Sequence, residues 1–393
     1  MLKTYLKRIV KRNRAIYRVY CFLGSLLLRI VGKFIKTEDN LILYVVYGGQ
    51  RYDDSPRFVY EYMKNNKNYD KYNHIWAFID PDSIEAPVEK KIKIDTLKYY
   101  ITALKAKYWI TNSSASRGLN FMSKNTVNIM FQHGMAGIKK LGDDISSENK
   151  SFKGFNEHFD YIIIEGKYEE LILKNAWNLK DEIILNIGLP RNDELTDIDE
   201  NKVIKLRQSL EIPEDKKVIL YAPTFREYNL DSELATFLKP PFNFDLWYRE
   251  LGDKYVLLLT AHYEIAKLMD IPNGHPFVIN AFKYPYINDL MMVSDILISD
   301  YSSIIFDYSI LGRPIISFAY DYKDYKKERG LYDGYEDIFS HGVIQKEEDV
   351  IEYIKNIDYE AEGKYTMEEI RDKYLSNYGD ATEKAVVAIF GEK

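Results

Sequence analysis

One cysteine, Cys21, stands in 393 residues. It excludes an intrachain disulfide framework and any cysteine-cluster zinc or iron–sulfur centre. The six histidines are scattered, with no His-x-x-x-His pair, so a structural metal is not expected. Near the N-terminus the longest uncharged stretch is Val19–Leu28, ten residues. A bilayer span needs roughly 20. No small-x-small cleavage site follows that stretch, which argues against a signal peptide. Walker, GxGxxG, GxSxG and kinase signatures are all missing. Acidic side chains are missing from residues 1–37, which hold ten basic ones. Removing those ten from the 54 lysines and arginines leaves 44 against 60 acidic residues in the remainder. An acidic body disfavours nucleic acid, and a basic head suits an anionic membrane surface.

What is present begins with that head. Leu2, Leu6, Ile9 and Val10, then Ile16, Tyr17, Tyr20, Leu23 and Leu27, recur at helical spacing among the basic residues. The pattern predicts one or two amphipathic helices over residues 1–36, lying on the cytoplasmic face of the cell membrane as a peripheral anchor. The body then alternates apolar strand-like runs with helical patterns. A first series runs through Leu41–Tyr47, His74–Ile79, Tyr108–Thr111, Thr126–Phe131, Tyr161–Glu165 and Glu182–Ile187. A second runs through Val218–Tyr221, Tyr255–Thr260, Phe277–Asn280, Ile296–Ser299 and Pro314–Ala319. Alternation of this kind predicts parallel sheets covered by helices. Gly188–Asp199, with its glycine, proline and charges, reads as the linker between them. The expected division is a basic segment at 1–37, a first domain at 38–190 and a second at 191–393. Two doubly wound α/β domains would then face one another, with ligands beyond the carboxyl ends of the strands.

Five segments carry candidate chemistry. Ile296–Ser299 leads into Asp300-Tyr301-Ser302-Ser303 and a helical pattern. The serines sit where an N-cap belongs, and the free N–H groups of a helix start suit a phosphate. Phe131-Gln132-His133-Gly134 places a histidine at a strand's carboxyl end, where an imidazole can act as a general base. Lys139-Lys140 follows and can hold phosphate as point charges. Thr260-Ala261-His262 repeats the strand–histidine arrangement in the second series. Tyr221-Ala222-Pro223-Thr224-Phe225-Arg226 puts an arginine after a strand, where it can clamp phosphate. Gly188-Leu189-Pro190-Arg191-Asn192-Asp193 puts another at the hinge. Taken singly, each also has a plain reading: a helix cap, a loop histidine, a surface ion pair or a linker.

In order and spacing, these segments resemble the CDP-glycerol glycerophosphotransferase family of teichoic-acid synthesis. Ser-Asp-Tyr-Ser-Ser-Ile-x-Phe-Asp-Tyr at 299–308, Tyr320-Asp321 and Gly330-Leu331-Tyr332-Asp333 extend the likeness, which covers roughly residues 41–385. The resemblance implies a GT-B-like fold of two Rossmann-like domains facing a cleft, with no metal and no cofactor. It implies transfer of glycerol phosphate from CDP-glycerol, or ribitol phosphate from CDP-ribitol. The acceptor would be a hydroxyl of a polyprenyl-diphosphate-linked molecule, for wall teichoic acid or a capsule, and CMP would be released. By position His133 becomes the catalytic base. His262, Ser302 and Ser303 contact the donor diphosphate, with Thr224 and Arg226 nearby. Asp307 holds the nucleoside or braces the loop. Gly134, Lys139, Lys140 and Arg191 lie toward the acceptor. Where the family often has Trp-His-Gly-Thr-Pro, this chain has Gln132-His133-Gly134-Met135-Ala136. A homo-oligomer is compatible with all of this. The rivals are a nucleotide-sugar glycosyltransferase on the same fold and a membrane-bound assembly subunit.

Overall fold

The computed structural model describes residues 14–145, 157–224, 226, 240–260, 269 and 274–391. Two parallel sheets organise the chain. The first contains β1 (Glu38–Val45), β2 (Asn73–Phe78), β3 (Lys91–Lys93), β4 (Ala106–Thr111), β5 (Val127–Phe131), β6 (Tyr161–Ile164) and β7 (Ile184–Asn186). Its spatial order is β3-β2-β1-β4-β5-β6-β7. The second contains β8 (Lys217–Ala222), β9 (Tyr255–Leu259), β10 (Val278–Asn280), β11 (Ile296–Ser299) and β12 (Ile315–Ser317), in the order β10-β9-β8-β11-β12.

Continuous apolar runs explain both sheets. Strands covered by helices on both faces need no alternation, and Tyr255–Leu259 is buried at every residue. The expected strands are present within a few residues at each end. The strand missing from the sequence reading is β3, three residues of Lys-Ile-Lys at a sheet edge. One apolar residue between two lysines carries no periodic signal.

In each sheet the strand order reverses once, between β1 and β4 and between β8 and β11. Crevices open at such reversals, beyond the carboxyl ends of the strands. At the first lie Tyr47 and Asn112; at the second lie Thr224 and Asp300. The two crevices look toward each other. A Cβ built on Gly134, just after β5, would lie 2.1 Å from the Ser303 hydroxyl, just after β11.

The two sheets lie on either side of residue 190 in the chain, and the last helix crosses back. Ala381–Phe390 returns to the first domain, where Ala385, Val386 and Phe390 join the core containing Tyr72 and Trp76. The Phe390 ring packs on Tyr72 and Tyr108, with centroids 5.1 and 4.8 Å away. The alanines and valines of that helix carry no mark of which domain they serve.

The described part of the N-terminal segment is one helix, Arg14–Gly32. Gly24 and Gly32 let it approach Leu119 and Leu104 closely. Leu28 is buried against the first-domain core, with Cys21 and Val31 partly buried beside it, whereas Val19, Tyr20, Phe22, Leu23 and Leu27 are exposed. Among the described residues no helix is long and apolar enough to cross a membrane.

Candidate active site between the domains

His133 follows β5 directly, and its side chain is exposed. The Tyr47 ring meets it edge-on, with centroids 6.3 Å apart. Although it reaches solvent, the imidazole is partly desolvated by the protein packed around the cleft, which lowers its pKa from the usual 6.5. The nearby Asp54 carboxylate and the Asn112 backbone carbonyl oppose that shift, while Arg191 and Lys139 add to it. The ring is therefore neutral at pH 7, the state a general base requires.

Behind the histidine lies the hinge, and it is not a surface linker. Pro190, Arg191 and Asn192 form one buried 3-10 turn. The Arg191 guanidinium donates from Nη2 to both oxygens of Asp307, at 2.9 and 2.7 Å, and its Nη1 lies 3.5 Å from Asp54. Asn192 donates to Glu165 at 3.0 Å and to Asp307 at 2.8 Å. Asp193 accepts from the N–H groups of Ala381 and Thr382, capping the returning helix. Asn288 of the second domain donates to the Arg191 carbonyl at 2.5 Å. Three consecutive polar side chains thus fasten three separate elements.

One guanidinium cannot balance four buried carboxylates. Burial raises the Glu165 pKa well above the usual carboxylate value, and Asp307 and Glu169 raise it further. Burial also lifts Glu169 to about 7, although two backbone N–H groups, of Ala136 and Glu165, stabilise its anion. Despite its burial, the Asp54 carboxyl is held below its usual value by Arg191, while Glu165 is pushed toward its neutral form.

Arg226 is also saturated with carboxylate. Its Nε and Nη2 donate to Asp321 at 2.7 and 2.8 Å. Nη1 donates to Asp300 at 2.9 Å and to the Thr224 carbonyl at 2.6 Å. The rings of Tyr301, Tyr320 and Tyr325 surround it at 4.8 to 5.3 Å. Asp300 in turn accepts from the N–H groups of Thr224 and Tyr301. Arg226 therefore ties together the loops at the second crevice instead of presenting an open fork. Arg191 and Asp307 are likewise engaged with each other, in a buried ion pair that braces the loop.

Of the remaining candidates, Ser302 accepts from the Ile304 N–H at 3.3 Å and Ser303 makes no side-chain cap. Ser303 instead faces Gly134 across the cleft. The Thr224 hydroxyl is buried and, among the described residues, has no hydrogen-bond partner. Lys139 and Lys140 lie in a strap between the domains. Lys139 bridges Leu331, and Lys140 donates its N–H to the Gly330 carbonyl at 3.1 Å. Nearby Tyr332 donates to Asp144 at 2.7 Å. His262 lies outside the described residues. Among the described residues no group of three or more His, Cys, Asp or Glu side chains is placed to hold a metal ion. Sequence reasoning missed Tyr47, Asp54, Asn112, Glu165, Glu169 and Asn192. The only local signals were Gly48-Gly49 after a strand and the polar turn before Ser55-Pro56.

A histidine on one domain, a serine loop on the other and a cleft at two facing switch points make a GT-B-like arrangement. The match to known proteins is more specific. Residues 28–391 fit the family model of the CDP-Glycerol:Poly(glycerophosphate) glycerophosphotransferase, and the chain belongs to that family. It is 35% identical over 339 residues to a teichoic acid poly(glycerol phosphate) polymerase of Staphylococcus epidermidis, covering 82% of this chain but 46% of that protein. It is 29% identical to a teichoic acid glycerol-phosphate transferase of Staphylococcus aureus, covering 91% of each. The solved wall teichoic acid polymerase TagF superposes with a TM-score of 0.79 at 31% identity, over 99% of this chain and 96% of that one. A TagF variant with histidine changed to asparagine has also been solved after soaking with CDPG.

The Gly134 contact generates a direct test. A methyl group there would collide with the Ser303 hydroxyl, so either that side chain rotates away or the two loops shift. Gly134→Ala should lower turnover at least tenfold, while the melting temperature changes by only a few degrees. Undiminished turnover would show that the two loops need not approach so closely.

Proposed function

We propose that this protein transfers glycerol phosphate from CDP-glycerol to a hydroxyl of a membrane-held, lipid-linked acceptor, releasing CMP. The observation that carries the reading is a neutral, solvent-reaching His133 opposite Ser303, within a chain of this family. The acceptor oxygen attacks the glycerol-side phosphorus and forms the new phosphodiester bond. The bond from that phosphorus to the CMP oxygen breaks, and CMP leaves. His133 takes the hydroxyl proton. Backbone N–H groups and hydroxyls of the loop Asp300–Ser303 meet the diphosphate, and the buried Thr224 hydroxyl lies at the same crevice. Arg226, through Asp300, holds that loop in shape.

The donor is tested by offering the purified protein CDP-glycerol, CDP-ribitol, UDP-sugars and GDP-sugars with a lipid-linked acceptor. CMP release from CDP-glycerol is expected. Turnover of CDP-ribitol alone would reassign the polyol, and turnover confined to a UDP- or GDP-sugar would overturn the reading. His133→Ala should lose roughly two to four decades of turnover, the range for removing a general base. The base works only when neutral, so the rate falls as pH drops through its pKa. Because that pKa is depressed, the acid limb should lie below pH 6.5. A limb at or above 6.5 would contradict the assignment.

The helix Arg14–Gly32 is read as the membrane contact. Its exposed apolar residues and the flanking Arg18, Arg29, Lys33 and Lys36 suit an anionic interface, at about 1 kcal/mol per basic residue. The double variant Phe22→Asp/Leu27→Asp should cease to cosediment with phosphatidylglycerol vesicles while keeping its melting temperature. Unchanged cosedimentation would place the contact elsewhere.

A further inference from the structure

The polar groups around His133 form a connected set that the proposed chemistry leaves without a task. Asn112, at the end of β4, accepts the Tyr47 N–H on Oδ1 at 2.7 Å. Its Nδ2 donates to Asp54 at 2.8 Å. The Tyr47 hydroxyl donates to the same Asp54 oxygen, also at 2.8 Å. The other Asp54 oxygen accepts the Ser55 N–H at 2.6 Å and lies 3.5 Å from Arg191. Asp54 is 3% exposed and sits at φ +62°. A left-handed conformation on a buried, non-glycine residue persists only where its surroundings enforce it, and such residues concentrate at functional sites.

Two of the groups fixed by Asp54 face the imidazole. The Tyr47 ring lies edge-on to it, and the Asn112 backbone carbonyl favours its protonated form. On its far side Asp54 meets Arg191, which is held by Asp307 of the second domain. The chain of contacts from His133 to the other domain is therefore continuous: Tyr47, Asp54, Arg191, Asp307.

We propose that Asp54 is a positioning residue for His133. It locks the Tyr47 ring that sets the imidazole's orientation, and through Arg191 it couples that setting to the second domain. The inference rests on His133 being the base. Asp54 does not touch substrate; it acts through its neighbours.

The test uses Asp54→Asn, Tyr47→Phe, His133→Ala and the double variant His133→Ala/Asp54→Asn. Asparagine tolerates the left-handed conformation, so Asp54→Asn removes charge while keeping the backbone. Its kcat should fall ten- to a hundredfold, in line with misplacement of a reacting group, with the donor KM within about twofold of wild type. The charged and polar groups facing the ring are Asp54, Arg191, Lys139, the Tyr47 phenol and the Asn112 carbonyl. Of these charges Asp54 alone is negative, so its removal should move the acid limb of the pH–rate profile to lower pH. Tyr47→Phe keeps the ring, loses one hydrogen bond and should show a smaller fall in kcat. It also carries the test if Asp54→Asn does not fold. The double variant should be no slower than His133→Ala alone. Wild-type kcat in both Asp54→Asn and Tyr47→Phe overturns the proposal. So does a double variant slower by the full Asp54→Asn factor, which would leave His133 as base but separate Asp54 from it. An active His133→Ala removes both assignments.

Discussion

The arrangement of this protein depends on a buried arginine at the hinge. Arg191 is 6% exposed and pairs with Asp54 of the first domain and Asp307 of the second. An ion pair of this kind contributes little net stability over an apolar contact, because desolvating the charges offsets their attraction. Its value is geometric. A guanidinium fork held by one carboxylate on each domain admits few relative orientations, whereas an apolar patch admits many. Losing one partner strands the other in the interior, at a cost of about 3–5 kcal/mol. The domain angle is therefore set by charge, and the two cores pack independently on either side of it.

That constraint explains why the six residues from Gly188 to Asp193 are so polar and yet so buried. Arg191 reaches Asp307, Asn192 reaches both Glu165 and Asp307, and Asp193 caps the helix that returns from the chain's end. The strap formed by Lys139, Lys140, Gly330 and Leu331 adds a second attachment across the same cleft. Between these two attachments Gly134 and Ser303 approach so closely that a methyl group on the glycine would meet the serine hydroxyl. The cleft is narrow there because the hinge and the strap hold it so.

The strands, most of the helices and the switch-point crevices were legible in the sequence, because buried parallel strands announce themselves as apolar runs of β-branched and aromatic residues. His133 and the serine loop were legible as well, since each directly follows such a run. The partners of Arg191, Arg226 and Asp307 were not. Asp307 lies 116 positions from Arg191, and Asp321 lies 95 from Arg226. A basic residue after a strand looks the same whether it awaits a phosphate or already holds a carboxylate. Asp54 was hidden for the same reason, its meaning coming from Asn112 and Arg191. Where the final helix packs was hidden as well, because Ala385 and Val386 are generic core residues until Tyr72 and Trp76 are beside them.

The central claim is that the Arg191 ion pairs fix the relation of the two domains. It is tested most directly by the distance between spin labels at Lys98→Cys in the first domain and Glu348→Cys in the second, in a Cys21→Ser background, measured by double electron–electron resonance. With Arg191 and Asp307 intact the account predicts one narrow distance distribution. With Asp307→Ala added, it predicts a broad or displaced distribution while each domain keeps its secondary structure. An unchanged narrow distribution in the Asp307→Ala variant would contradict it.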